Sequence, residues 1–326
     1  MPANLPPEYF EVEKRYRDAK RPADKIAALQ AMLAVIPKHK GTDKLRGDLR
    51  RRLSKLKSKD QAKKPGIKRD SPFKIQREGA AQVILVAPPN VGKSALVAVL
   101  TNADPEVGDF PHTTWKPVPG MMPYENIQVQ LIDTPPMTIE YTDPQLLDMI
   151  RRADMILLVV DVSTDPTRQL EEVAAILEEN RIAPVGLGHE AKAGWSYKTV
   201  LVLANKCDDA LAEENFDIFN DLVEQDWPML AVSAKTGRNL DLLKKTVFER
   251  LEIIRVYTKG PGKEPDRTAP FVLKRGSTVE DLAVKIHKDF LEKLKYAKIW
   301  GNKVYDGQMI QRDYVLQDGD VVELHV

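Results

Sequence analysis

Between residues 82 and 255, short apolar runs alternate with stretches of helical spacing, and several of the runs end in a polar loop. The runs fall at 82–87, 127–132, 155–161, 200–204 and 229–232, and the helical stretches at 93–100 and about 144–152, 166–180, 209–225 and 239–255. Strands that alternate with helices predict a mostly parallel, doubly wound α/β sheet covered on both faces. Ligands of such sheets sit beyond the carboxyl ends of the strands. The polar loops of this chain lie at those ends.

The first loop, Ala87-Pro88-Pro89-Asn90-Val91-Gly92-Lys93-Ser94, follows a strand and opens a helix, the context a P-loop requires. The N–H groups from Asn90 through Val91, Gly92, Lys93 and Ser94 to Ala95 then face a phosphate at a helix N-terminus, where the dipole favours negative charge. Lys93 would reach the β- and γ-phosphates and Ser94 would ligate Mg²⁺. The first glycine of the pattern is Ala87, which fits if that position keeps φ negative.

Two further loops concern the base. The strand at 200–204 runs into Asn205-Lys206-Cys207-Asp208, and the strand at 229–232 into Ser233-Ala234-Lys235. The Asp208 carboxylate can accept from N1–H and the exocyclic amine of guanine, a donor pair that adenine lacks. The Ala234 N–H can meet guanine O6, Asn205 can support the loop and the base edge, and the stem of Lys206 can lie along the ring. Taken singly, each is an ordinary polar turn; three in this order point to guanine nucleotides, GTP and GDP.

On these motifs the chain resembles the Obg/developmentally regulated GTP-binding (DRG) family of P-loop GTPases. Phe110-Pro111-His112-Thr113-Thr114-Trp115, followed by Pro119-Gly120, resembles that family's switch I. The resemblance implies that Thr114 ligates Mg²⁺ in the triphosphate state and that Asp133 holds the Mg²⁺ shell through water. Lys93, Thr114 and Asp133 are then the candidate catalytic residues. Asn90 matches a position that in related GTPases helps bind K⁺; a purely structural Asn is the other reading.

Switch II departs from the family. Asp133-Thr134-Pro135-Pro136 stands where the family has Asp-x-Pro-Gly, and Pro136 has neither an N–H for the γ-phosphate nor a free φ. Met137 occupies the place where Ras-like enzymes orient water with Gln, and a thioether cannot do that. The family too has an apolar residue there, so the resemblance implies slow turnover accelerated from outside.

The flanks carry separate compositions. Through residue 80 the chain has 22 Lys and Arg against 10 Asp and Glu, about +12, which leaves about −11 for the rest of a chain of net charge +1. Ile26, Leu29, Met32, Leu33 and Ile36 share one helical face, with Pro22 in that helix's first turn. Leu45, Leu49, Leu53 and Leu56 mark a second helix covered by Arg46, Arg50, Arg51, Arg52, Lys55 and Lys57, and a linker at 59–69 follows. Such a surface attracts RNA phosphates, ribosomal RNA included; a solvated face is the alternative.

After a Gly/Pro-rich linker at 259–267, Gly276-Ser277-Thr278-Val279-Glu280-Asp281-Leu282-Ala283, Lys295-Tyr296-Ala297-Lys298-Ile299-Trp300-Gly301 and Asp318-Gly319-Asp320-Val321-Val322-Glu323 resemble a TGS domain, a ubiquitin-like β-grasp module. One helix is expected at 279–294. The expected organisation is a basic helical region with linker at 1–77, a GTPase domain at 80–258 and a small α+β domain at 268–326. One cysteine excludes an intramolecular disulfide, and no apolar run reaches the roughly 20 residues that span a bilayer. A cytoplasmic protein with no membrane partner is expected. The leading expectation of function is a slow GTPase switch on ribosomes or RNA. The alternative is a GTP/GDP-binding adaptor with little or no hydrolysis.

Overall fold

The computed structural model describes residues 6–19, 22–36, 42–62, 73–101, 116–140, 142–187, 192–302 and 304–325. It divides into two compact units, Met1–Ser71 and Pro72–Val326.

The first unit holds α1 (Pro7–Asp18), α2 (Pro22–Val35) and α3 (Asp43–Ala62). Its core is Tyr9, Leu29, Met32, Ile36 and Leu49, with Leu33, Leu45 and Leu53 packed at the margin. Helical spacing thus placed Leu29, Met32, Leu33, Ile36, Leu45, Leu49 and Leu53 in or beside this core; Ile26 is half-buried and not part of it, and the side chain of Leu56 lies outside the described residues. Residues 59–62, read as linker, continue α3 as helix. Arg50, Arg51, Arg52 and Lys55 are exposed.

The second unit runs β1 (Gln82–Val86), α4 (Lys93–Leu100), β2 (Val118–Tyr124), β3 (Ile127–Asp133), α5 (Pro144–Arg152), β4 (Met155–Asp161), α6 (Pro166–Glu179), β5 (Ile182–Pro184), β6 (Ser196–Asn205), α7 (Ala210–Leu222), β7 (Met229–Ala231) and α8 (Leu240–Arg250). It continues with β8 (Ile253–Thr258), β9 (Phe271–Lys274), α9 (Val279–Ile286), α10 (Lys288–Lys293), β10 (Tyr296–Trp300), β11 (Gln308–Ile310) and β12 (Val321–His325).

The first sheet has the order β2-β3-β1-β4-β6-β5, with β7 paired to the far end of β6. Every pairing is parallel except β2 with β3. Every residue of β1 and β4 is buried, as continuous apolar runs in the middle of a parallel sheet must be. Alternate side chains feed two cores. Ile84, Val86, Ile156 and Leu158 pack with α5, α6 and α7 through Leu146, Ile150, Leu170, Val173 and Phe219. Val83, Leu85, Met155 and Leu157 pack with α4 and α8 through Leu96, Leu100, Leu243 and Val247. This is the doubly wound arrangement the alternation implies. The sequence pattern missed β2, which contains Pro119, Gly120 and Pro123. As the edge strand it tolerates prolines that a central strand could not.

The second sheet, β11-β10-β12-β8-β9, packs on Val279, Leu282 and Ala283 of α9. Strand β8 pairs in parallel with β12 and antiparallel with β9, so 253–258 belongs to this sheet. The sequence boundary at 258–268 therefore falls inside the second sheet, and the helix expected to run to 255 stops at Arg250. His287, with φ −169, divides the expected single helix at 279–294 into α9 and α10.

The two sheets meet where the β2–β3 turn touches β8. Arg255 donates to both carboxylate oxygens of Asp318, at 3.1 and 2.7 Å, and pairs with Glu125 at the turn. Its guanidinium lies 4.7 Å from the Phe248 ring centroid, and Asn126 donates to the Tyr257 hydroxyl. Among the described residues no helix is long and apolar enough to cross a membrane.

Candidate guanine-nucleotide site

The loop after β1 reaches the N-terminus of α4 through two left-handed residues, Asn90 (φ 67) and Gly92 (φ 84). Asn tolerates that region better than most L-residues, and glycine adopts it freely. At Gly92 a side chain would fail on space as well. A β-carbon there would stand 2.5 Å from the Asn205 amide nitrogen. A left-handed turn onto a helix N-terminus is the setting in which successive backbone N–H groups bind phosphate. Val91 is buried, Asn90 is exposed, and Ser94 and Ala95 sit half-buried in the first turn of α4.

Lys93 is buried, and its ammonium donates to Asp133 Oδ1 at 2.5 Å and to the Thr134 carbonyl. Burial pushes its pKa below the ordinary lysine value, and the charge and hydrogen bond of Asp133 work in the opposite direction. Ser94 Oγ donates to the other Asp133 oxygen, also at 2.5 Å. A hydroxyl and a carboxylate from adjoining loops, beside a phosphate cradle, are the hard oxygen donors that suit Mg²⁺. The residues present fit the ion.

The guanine loops interlock with this cradle. Asn205 donates to the Val91 carbonyl at 2.8 Å and accepts from the Ala234 N–H at 3.2 Å, so one side chain joins three loops. Asp208 accepts from Ser233 Oγ at 2.6 Å and lies 3.5 Å from the Lys235 ammonium. Ser233 Oγ in turn accepts from the Thr236 N–H at 2.9 Å. Lys206 (φ 65) bonds the Asn90 carbonyl at 2.9 Å and Asp161 at 2.5 Å. Cys207 is fully buried, and burial raises its thiol pKa. Among the described residues, the positions selected for the phosphate and guanine loops and Asp133 are tied to one another through these bonds. Thr114, together with His112 and Trp115, lies outside the described residues.

Switch II differs from the sequence picture in one respect. Met137 is 2% exposed and packs in the core with Leu146 and Ile150, while its N–H donates to the Ala87 carbonyl at 2.8 Å. Its side chain anchors the loop in that core. Sequence reasoning missed this, and it missed Thr134, whose hydroxyl bonds the Leu85 carbonyl at 2.6 Å. It also missed Asp161. A strand-end Asp was visible, but its partner lies 45 residues away.

A family model described as a 50S ribosome-binding GTPase matches residues 82–190, and a TGS-domain model matches 254–326, beginning within β8. A GTP-binding protein of Methanocaldococcus jannaschii is 31% identical, with 92% of each chain covered. The developmentally-regulated GTP-binding protein 1 of Xenopus laevis is 28% identical over 92% of this chain and 98% of its own. Among solved structures, the YchF GTPase of Schizosaccharomyces pombe superposes with a TM-score of 0.52 at 15% identity, covering 77% of this chain and 99% of that one, a likeness of fold. The chain therefore belongs to the family of GTP-binding proteins, the developmentally regulated ones among them, that join a P-loop GTPase domain to a C-terminal TGS domain.

Proposed function

We propose that this chain, as an Obg/DRG-type protein, binds GTP and GDP with Mg²⁺, hydrolyses GTP slowly and acts as a conformational switch on ribosomes or other RNA. The observation that carries the reading is the interlocked guanine side, where Asn205 ties the phosphate loop to the loop bearing Ala234. In this reading Asp208 selects guanine, the Ala234 N–H meets O6, and Ser233 and Lys235 hold Asp208 in place. Lys93 moves from Asp133 to the β- and γ-phosphates, and the N–H groups of Asn90–Ala95 cradle them. Ser94, Thr114 and Asp133 hold Mg²⁺, which supplies charge neutralisation at the phosphates.

Slow turnover follows from switch II. Pro136 has no N–H to offer the γ-phosphate, and the Met137 side chain is committed to the core. No residue of this loop replaces a water-orienting glutamine, so acceleration comes from a partner or from K⁺ held near Asn90. The exposed Arg50, Arg51, Arg52 and Lys55 support contact with an RNA backbone, with a salt-dependent affinity. A cytoplasmic location suits these partners.

The same buried Met137 favours a second reading, a GTP- or GDP-binding adaptor without meaningful turnover. Single-turnover assays with and without K⁺ and ribosomes separate the two. Slow phosphate release that either addition accelerates supports the switch. No release under any condition leaves the adaptor.

A further inference from the structure

Asp161 ends β4 with its side chain 6% exposed, and it belongs to none of the three nucleotide loops. Its two carboxylate oxygens have separate partners. Oδ1 accepts from the Ser163 N–H at 2.9 Å and from Ser163 Oγ at 2.6 Å, which closes the turn after the strand. Oδ2 takes the Lys206 ammonium at 2.5 Å. The Asp161 N–H donates to Gln169 Oε1 at 2.8 Å, so the backbone beneath is fixed as well.

The turn alone accounts for an oxygen acceptor and not for a charge. An asparagine would close it equally well, because only Oδ1 is used. Burying a carboxylate is unfavourable unless a cation meets it, and the cation here is Lys206. That same ammonium reaches the Asn90 carbonyl, and both Lys206 and Asn90 stand in the left-handed region, φ 65 and φ 67. Two L-residues in that region need their surroundings to hold them. One ammonium thus joins the ends of β1, β4 and β6, and Asp161 is the only charged group that meets it among the described residues.

We propose that Asp161 is a positioning residue for the guanine nucleotide. It fixes Lys206 so that the lysine stem stays beside the base site and the guanine loop stays tied to the phosphate loop, which slows nucleotide release. The inference rests on the nucleotide-binding reading above.

Release of a fluorescent GDP analogue from the full-length chain, followed by stopped flow, tests it in a double-mutant cycle. Asp161→Asn keeps the turn acceptor and removes the charge, and Lys206→Met removes the partner. Each single variant is expected to release the analogue about tenfold faster, as for a lost charge-assisted hydrogen bond. The double variant is expected to be no faster than the faster single one, because the two residues act as a pair. An unchanged rate in Asp161→Asn, or a double-variant acceleration equal to the product of the singles, overturns the proposal. So does a lowered melting temperature in Asp161→Asn with an unchanged release rate, the mark of a structural role only. If Asp161→Asn does not fold, Ser163→Ala replaces it. It loosens Asp161 while keeping both charges, and its acceleration must vanish in the Lys206→Met background. Failure of the wild-type chain to bind the analogue at all would instead remove the nucleotide-binding reading itself.

Discussion

The guanine side and the γ-phosphate side of the site are built in opposite ways. On the guanine side, Asn205, Lys206, Asp208 and Ser233 each bond a neighbouring loop through a side chain. These bonds hold the loops in register before a base arrives, so little ordering entropy is left to lose on binding. On the γ-phosphate side, Asp133 engages Lys93 and Ser94, the two groups that in the proposed reading turn to phosphate and metal when nucleotide binds. Beyond Asp133 come Pro136, without a donor, and Met137, sunk in the core. Preorganisation for binding is strong, and preorganisation for attack by water is weak. That asymmetry separates holding a nucleotide from cleaving it.

The asymmetry can be broken at its centre. Lys93→Ala removes the proposed phosphate ligand and leaves Asp133 as a buried unpaired charge; we expect GTP affinity to fall by about a hundredfold or more and stability by about 3–5 kcal/mol. Titration and thermal melts read both losses. Asp208→Asn tests the other side. An amide cannot accept from both guanine donors, so GTP affinity should fall by about a hundredfold while xanthosine triphosphate, with an oxygen in place of the amine, gains. Equal GTP affinity in wild type and variant would remove Asp208 from base recognition.

A smaller effect probes the switch II loop. Met137→Gln puts an amide into the apolar core, at a cost of about 1–3 kcal/mol, and should not raise single-turnover hydrolysis. A faster rate would mean that position 137 reaches the phosphates after all. Arg255→Ala frees the far end of the hairpin that carries Asp133. Its partners Asp318 and Glu125 are partly exposed, so a loss of about 1–2 kcal/mol is expected, with GTP affinity unchanged. The pH dependence of that contribution has a definite sign. Burial raises the Asp318 pKa, but the side-chain and backbone hydrogen bonds from Arg255 outweigh it and leave the pKa lowered. The stabilisation is therefore complete above the unfolded carboxylate value of about 3.9 and is lost as pH falls through the lower folded value. Acid melts of wild type and Arg255→Ala should converge at the acid end.

Legibility in the sequence followed the range of the interactions. Lys93 with Ser94, Asn205 with Asp208, and Ser233 with Ala234 could be read because each pair must be adjacent or nearly so in one strand-end loop. The doubly wound core was readable because β1 and β4 are unbroken apolar runs. Strand β2 was hidden by its prolines, which only an edge position explains. Strand β8 was missed, its first residues read as the end of a helix to 255 and the rest left in the GTPase domain, because nothing within 253–258 announces pairing with β12, about 65 residues later. Met137 was recognised as unable to orient water, yet its burial depended on how the next helix, with Leu146 and Ile150, folds back over it. Lys206 of the guanine loop was picked out from the sequence, whereas its partner Asp161 needed the three-dimensional structure.

Calorimetric titration of the full-length chain with GTP, GDP and ATP in Mg²⁺ tests the guanine site most directly. The interlocked loops predict that GTP and GDP bind and that ATP binds at least about a hundredfold more weakly, since adenine offers Asp208 no donor pair. Comparable affinity for ATP and GTP would contradict the account.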